Sequence, residues 1–106
     1  KRVNTNDAPT ALTLTTTTIY DHQQAGSYIG QFFTTDPDVG DTHTYSLVTG
    51  SGDTDNFQFY VQHDTLYNVS QVDYTTQSIY FIRARSTDAG GLFIENTFTI
   101  NVSNVN

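Results

Sequence analysis

Tyr80-Phe81-Ile82-Arg83-Ala84-Arg85-Ser86 decides the fold class. Tyr80, Ile82 and Ala84 fall on one side of an extended chain, and Phe81, Arg83 and Arg85 on the other. A period of two with one apolar side is the signature of a strand that buries one face. The C-terminal stretch repeats it. Phe98, Ile100 and Val102 point inward, while Thr97, Thr99, Asn101 and Ser103 point outward. Working back toward the N-terminus, shorter runs of the same kind are separated by Gly, Asp and Asn clusters. Leu12 to Tyr20 is Thr-rich and reads as one or two short strands. Tyr28 to Thr35 ends at Asp36-Pro37-Asp38-Val39-Gly40-Asp41, and Thr44 to Val48 follows. Gly50 to Asn56 is a loop. Phe57, Phe59 and Val61 alternate, and a turn near Gln62 to Asp64 leads to Leu66-Tyr67. About seven short strands in one domain-sized chain predict an all-β, antiparallel Greek-key sandwich of immunoglobulin-like type. The Cys…Trp…Cys signature of true immunoglobulin domains is missing, because the chain has neither Cys nor Trp.

Composition agrees and removes several functions. The 106 residues include nineteen Thr, seven Tyr and seven Phe, types that suit a pleated, half-buried surface. Four basic residues face eleven acidic ones, for a formal charge of −7. Lys1 and Arg2 supply half of the positive charge from the terminus. That leaves no cationic stripe to displace counterions, so a nucleic-acid partner is not expected. No apolar run approaches the ~20 residues of a membrane span, so direct membrane insertion is not expected either. The lack of Cys excludes disulfides, thiol catalysis and thiolate metal sites. No Gly-x-Ser-x-Gly elbow is present. His22, His43 and His63 lack the paired spacing of a zinc protease and read as exposed or turn residues. No enzymatic activity is expected. Asn68-Val69-Ser70 and Asn101-Val102-Ser103 match the glycosylation sequon.

Ten of the eleven acids are Asp, and only Glu95 is Glu. Most fall at the ends of the predicted strands. Asp7 lies in Asn4-Thr5-Asn6-Asp7-Ala8-Pro9. Asp21 follows the first run, Asp36 and Asp38 the second. Asp73 precedes the Tyr80 run and Asp88 follows it. Acids at strand ends can converge off the end of a sandwich, where they repel unless a cation sits among them. Asp-rich hard-oxygen donors suit Ca²⁺, which takes six to eight oxygens. A lone Asp in a loop more often just forms a turn, and Asp53 and Asp55 read that way. The Asp36-x-Asp38 pair does not open an EF-hand. Counted from Asp36, the Gly position is Asp41 and the bidentate Glu position is Leu47.

The termini echo each other. Asn4-Thr5-Asn6 recurs as Asn104-Val105-Asn106, which predicts one unit of a tandem array. On that reading residues 1–9 are an inter-repeat linker, 10–103 the sandwich, and 104–106 the start of the next linker. With these pieces in place, the sequence resembles the cadherin-like repeats of large bacterial surface and secreted proteins. Asn4-Thr5-Asn6-Asp7-Ala8-Pro9 is similar to the family's Asp-x-Asn-Asp-x-Pro linker. Asp36-Pro37-Asp38 is similar to its Asp-x-Asp motif, and Asp73-Tyr74 to its Leu-Asp-Arg-Glu segment. Thr87-Asp88 resembles the Asp that ends strand F. Tyr20-Asp21-His22 stands where the family usually has Glu.

The resemblance implies a calcium-rigidified adhesion or spacer module, outside the cell, whose partners are adjacent repeats and other cell-surface molecules. It implies Ca²⁺ ligands at one end from Asp7, Asp36, Asp38 and Asp88, with a carbonyl of Asn6 or Ala8. At the other end it implies Asp21, Asp73, Asn104 and Asn106. Departures weaken the second set. The family's second acid there is Thr75, the linker's first Asp is Asn4 or Asn104, and Asp21 is shorter than Glu. The competing expectation is calcium-dependent polysaccharide binding, in which Tyr67, Tyr74, Phe81 and Phe93 would offer exposed rings to sugar faces.

Overall fold

The structure is a computed structural model that describes residues 7–38 and 40–104. Eight strands form two four-stranded sheets. They are β1 (Ala11–Leu14), β2 (Thr18–Tyr20), β3 (Tyr28–Thr35), β4 (His43–Leu47), β5 (Phe59–Gln62), β6 (Thr65–Asn68), β7 (Ile79–Asp88) and β8 (Phe93–Ser103). One sheet has the order β1-β3-β6-β5 and the other β2-β8-β7-β4. All pairs are antiparallel except β2 with β8. This is the sandwich expected from the sequence, with one strand more than the approximate seven.

The extra strand comes from the Thr-rich run, which changes sheets midway. Leu12 and Ile19 are both buried, yet they are seven residues apart, an odd number that a single flat strand would send to opposite faces. The chain resolves the conflict at Thr15 to Thr17. β1 pairs with β3, and after the crossing β2 pairs with β8. The crossing lies so close to β3 that a side chain at Gly30 would meet the Thr16 carbonyl oxygen at 3.0 Å. β3 shifts register between Tyr28 and Gly30, where glycine permits this approach.

Inward residues of both sheets form one core. Tyr80, Ile82 and Ala84 of β7 and Ile100 and Val102 of β8 are buried as their alternation predicts, and Phe98 packs against them half-buried. Phe57 departs from its expected place. It lies in a 3-10 turn, Asn56–Gln58, and is exposed, so the strand begins only at Phe59. Asp55 holds this turn. It is buried, and its carboxylate accepts the Phe81 amide at 2.8 Å and the Gln77 side-chain amide at 3.0 Å. Asp53, in contrast, is the turn former expected, accepting the Gly50 amide at 2.9 Å.

The two outer faces differ. No residue of β1, β3, β5 or β6 is charged. Tyr28, Tyr67 and Tyr60 are in register across three of these strands, and the Tyr60 and Tyr67 rings stack at 5.2 Å. The other sheet carries a charged cluster. Glu95 accepts from Arg83 and from Arg85, both at 2.8 Å, and Arg85 lies 4.0 Å from the centre of the Phe93 ring. The two arginines therefore both answer Glu95.

Candidate functional site

Strand registers fix which acids share an end. Ala11 of β1 opposes Thr35 of β3, and His43 of β4 opposes Asp88 of β7. Asp36, Asp38, Asp41 and Asp88 therefore lie at one end, here called the upper end. Asp7 joins them, since its amide donates to Asp38 Oδ2 at 2.7 Å. The Asp38 amide in turn donates to Asp36 Oδ1 at 2.9 Å. Asp36 Oδ2 lies 2.9 Å from His43 Nε2, and the two side chains are only 4% and 12% exposed. Asp41 Oδ1 accepts the amides of Thr42 at 2.8 Å and Ala89 at 3.3 Å. Asp88 Oδ1 accepts the amides of Gly90 and Leu92, closing the β7–β8 turn. Backbone N–H groups thus hold Asp36, Asp38, Asp41 and Asp88 in place. Each carboxylate has about four lone-pair positions, so one or two accepted amides do not exhaust it.

Among the described residues, Asp36, Asp41 and His43 bring one ligand atom each within 4.8 Å of one another. The sequence expectation named only Asp36 of these three. His43 was expected to be an exposed or turn histidine. His22 and His63 are, both exposed with positive φ, but His43 is mostly covered and bonded to Asp36. The readable signal was the spacing Asp41-Thr42-His43. An i, i+2 pair entering a strand points to one face, toward the acid that ends the preceding strand.

The lower end gathers Asp21, Asp73 and Asn104. The Asp21 amide donates to the Ser103 carbonyl, and Asp21 Oδ1 accepts the Tyr74 amide at 3.0 Å. Asp73 is occupied by its own turn, with Oδ1 accepting the Thr75 amide and hydroxyl and Oδ2 the Thr76 hydroxyl. Thr75, the residue in place of the family's second acid, thus serves as a donor to Asp73. Asn6 and Asn106 lie outside the described residues. Carboxylate oxygens dominate the donor set at the upper end, which fits a hard cation.

The four proposed sugar-stacking residues do not share a surface. Tyr67 is on the uncharged sheet and Tyr74 in the Asp73 turn. Phe81 and Phe93 share the other sheet's outer face, but Phe93 is in register with Thr87. Six residues separate Phe81 from Thr87, about 20 Å along a strand, and the Arg83–Glu95–Arg85 cluster fills the gap. Their scatter follows from parity and strand membership, which the aromatic count did not reveal.

Hydrogen bonding lowers several carboxyls. The Asp38 amide, then the His43 imidazole, hold Asp36 below the usual carboxylate range. The Thr75 hydroxyl and amide do the same for Asp73, the Gln31 side chain for Asp64, and Arg83 with Arg85 for Glu95. A group whose folded value lies below its unfolded one adds stability above the unfolded value, about 4 for a carboxyl. That stability is lost as pH falls through the folded value. The melting temperature is expected to be level near neutrality and to fall below about pH 4. An equal melting temperature at pH 6 and pH 3 would contradict this.

No protein-family profile matches the chain, and no curated protein matches it. Solved structures do. A structure of protocadherin gamma B2 extracellular cadherin domains 3–6 superposes with a TM-score of 0.72 at 18% identity, over 95% of this chain. The third cadherin domain of human protocadherin 7 matches at 0.65 and 16% identity, covering 98% of this chain and 93% of that one. Chicken VE-cadherin EC1-2 matches at 0.58 and 22% identity, over 87% of this chain and 49% of that one. The chain spans about a quarter of the gamma B2 structure, which covers several domains. At these identities the likeness establishes the fold alone, a β-sandwich like that of the cadherin domains in those structures.

Proposed function

We propose that the chain is a calcium-binding cadherin-like repeat of a larger surface or secreted protein, a non-catalytic spacer or adhesion module stiffened by Ca²⁺. The observation that carries this reading is the upper end. Asp7, Asp36, Asp38 and Asp88 come from three separate parts of the sequence, yet fall at one end of the sandwich, and backbone amides donate to the carboxylates of Asp36, Asp38 and Asp88. Such acids repel one another, and a divalent cation removes that cost. Asp7, Asp36, Asp38 and Asp88 would hold calcium, with an Asn6 or Ala8 carbonyl. Asp21, Asp73, Asn104 and Asn106 would serve the junction with the following repeat. Bound Ca²⁺ would supply charge neutralisation and a bridge between neighbouring domains. The bacterial affiliation rests on the motif pattern. The structural relatives whose source is given are human, chicken and mouse.

Extracellular modules bind Ca²⁺ at about 10⁻⁴–10⁻³ M. The single domain holds only half of each junction, so it is expected to bind more weakly than a protein containing two consecutive repeats. Calorimetry on both tests this. Equal affinity in the two, or an affinity that Asp38→Asn leaves unchanged, would sink the shared-junction reading.

A further inference from the structure

The upper end also contains a nitrogen donor, which an all-oxygen calcium site has no use for. We propose that Asp36, Asp41 and His43 form a site for a first-row divalent transition ion of the Zn²⁺ type. The proposal shares Asp36 with the calcium reading and needs nothing else from it.

The donor set is the first argument. Ca²⁺ takes oxygen ligands, whereas Zn²⁺ and its neighbours combine imidazole nitrogen with carboxylate oxygen. Geometry is the second. The three ligand atoms lie within 4.8 Å of one another, and Asp36 Oδ2 and His43 Nε2 already meet at 2.9 Å. Zinc–nitrogen and zinc–oxygen bonds of about 2.0–2.2 Å place two tetrahedral ligands about 3.3–3.6 Å apart, so closure needs the Asp36–His43 pair to open by roughly half an ångström and the wider pairs to close by at most about 1.5 Å.

The mounting of the ligands is the third. Asp36 directly follows β3, and His43 opens β4 in register with Asp88, so both stand on strand ends. One oxygen of each carboxylate is tied to backbone amides: Asp36 to that of Asp38, and Asp41 to those of Thr42 and Ala89. Contacts of this kind orient metal ligands. Access is the fourth. A concave surface lined by Thr42, His43, Thr44, Tyr45, His63 and Asp64 opens beside His43. Three protein ligands leave at least one tetrahedral position for water.

The test is Zn²⁺ titration of the full chain by calorimetry, with the histidine ring nitrogens followed by NMR and Ca²⁺ titrated in parallel. One equivalent of Zn²⁺ is expected to shift the His43 ring, and His43→Gln or Asp41→Asn to weaken binding about tenfold or more. His63→Gln should leave Zn²⁺ affinity unchanged. The inference is overturned if Zn²⁺ does not bind, if His43→Gln leaves its affinity intact, or if only His22 or His63 shifts. Should His43→Gln not fold, Asp41→Asn and the ring shifts decide. The two readings separate cleanly. Zn²⁺ binding through His43 without Ca²⁺ binding upholds this site and removes the calcium reading. Ca²⁺ binding that survives His43→Gln, with no response to Zn²⁺, does the reverse.

Discussion

Phe32→Ala is expected to cost about 3–5 kcal/mol. Phe32 lies in β3 and is 1% exposed. Its ring stacks on Tyr45 with centroids 5.5 Å apart and meets Phe98 edge-on at 5.9 Å. Both partners belong to the opposite sheet, so truncation opens a void where the sheets are locked together. Small domains have only about 5–15 kcal/mol in total. At roughly 4–8 °C per kcal/mol, the melting temperature would fall by more than 10 °C. Urea unfolding gives the number directly. A loss below about 1 kcal/mol would mean that the two sheets do not interlock through this ring.

Asn68→Asp is the second large effect. Asn68 is 2% exposed at the end of β6. Its side-chain oxygen accepts the Ser27 amide at 2.8 Å, and its NH₂ group donates to the carbonyls of Gln24 at 2.9 Å and Ser70 at 3.0 Å. One side chain thereby fastens the segment before β3 to the segment after β6. Asp is the same size but turns the donor into a second acceptor, facing two carbonyl oxygens. Breaking a buried pairing in this way costs about 3–5 kcal/mol. Asn68→Ala leaves unpaired groups but adds no charge, for about 1–3 kcal/mol. The Asp variant also carries a pH signature. Burial beside carbonyls raises its carboxyl in the folded state, so its penalty shrinks as pH falls and the group takes up a proton. Between pH 7 and pH 5 the variant should gain stability relative to the parent. If Asp and Ala prove equal at pH 7, the donor role of Asn68 is wrong.

The sequence exposed the parts of this molecule that depend on parity. β7 and β8 alternate so regularly that their inward residues could be named in advance, and β3 was bounded at Tyr28 and Thr35. Parity failed where the chain changes partners. Nothing in Thr15-Thr16-Thr17 announces a crossing except the odd spacing of Leu12 and Ile19. Phe57 continued an apparent alternation, yet Asp55 draws that stretch into a turn by contacts to Phe81 and Gln77, more than twenty residues away. The candidate site divides in the same way. Acids at strand ends were visible because turn punctuation marks those ends. His43 was not, because its role depends on the end of β3 and the start of β4 lying beside each other in space. The scatter of the four rings has a related cause. Counting rings says nothing about which of two sheets, or which face, each one occupies.

The uncharged sheet changes what a charge of −7 means for the molecule in solution. Asp7, Asp36, Asp38, Asp41 and Asp88 occupy one pole and Asp21 and Asp73 the other, while β1, β3, β5 and β6 contribute nothing between them. Electrostatically this is an anionic dumbbell with one flank of low charge. Two molecules meeting pole to pole feel a repulsion that salt screens. Two molecules meeting flank to flank feel less of it, because among the described residues only Asp64, in the β5–β6 turn and bonded to Gln31, brings a carboxylate to that sheet. Colloidal protection by net charge is therefore directional here. Ionic strength will tune end-on encounters more than side-on ones, and divalent cations at the poles would relax the barrier that acts along the long axis.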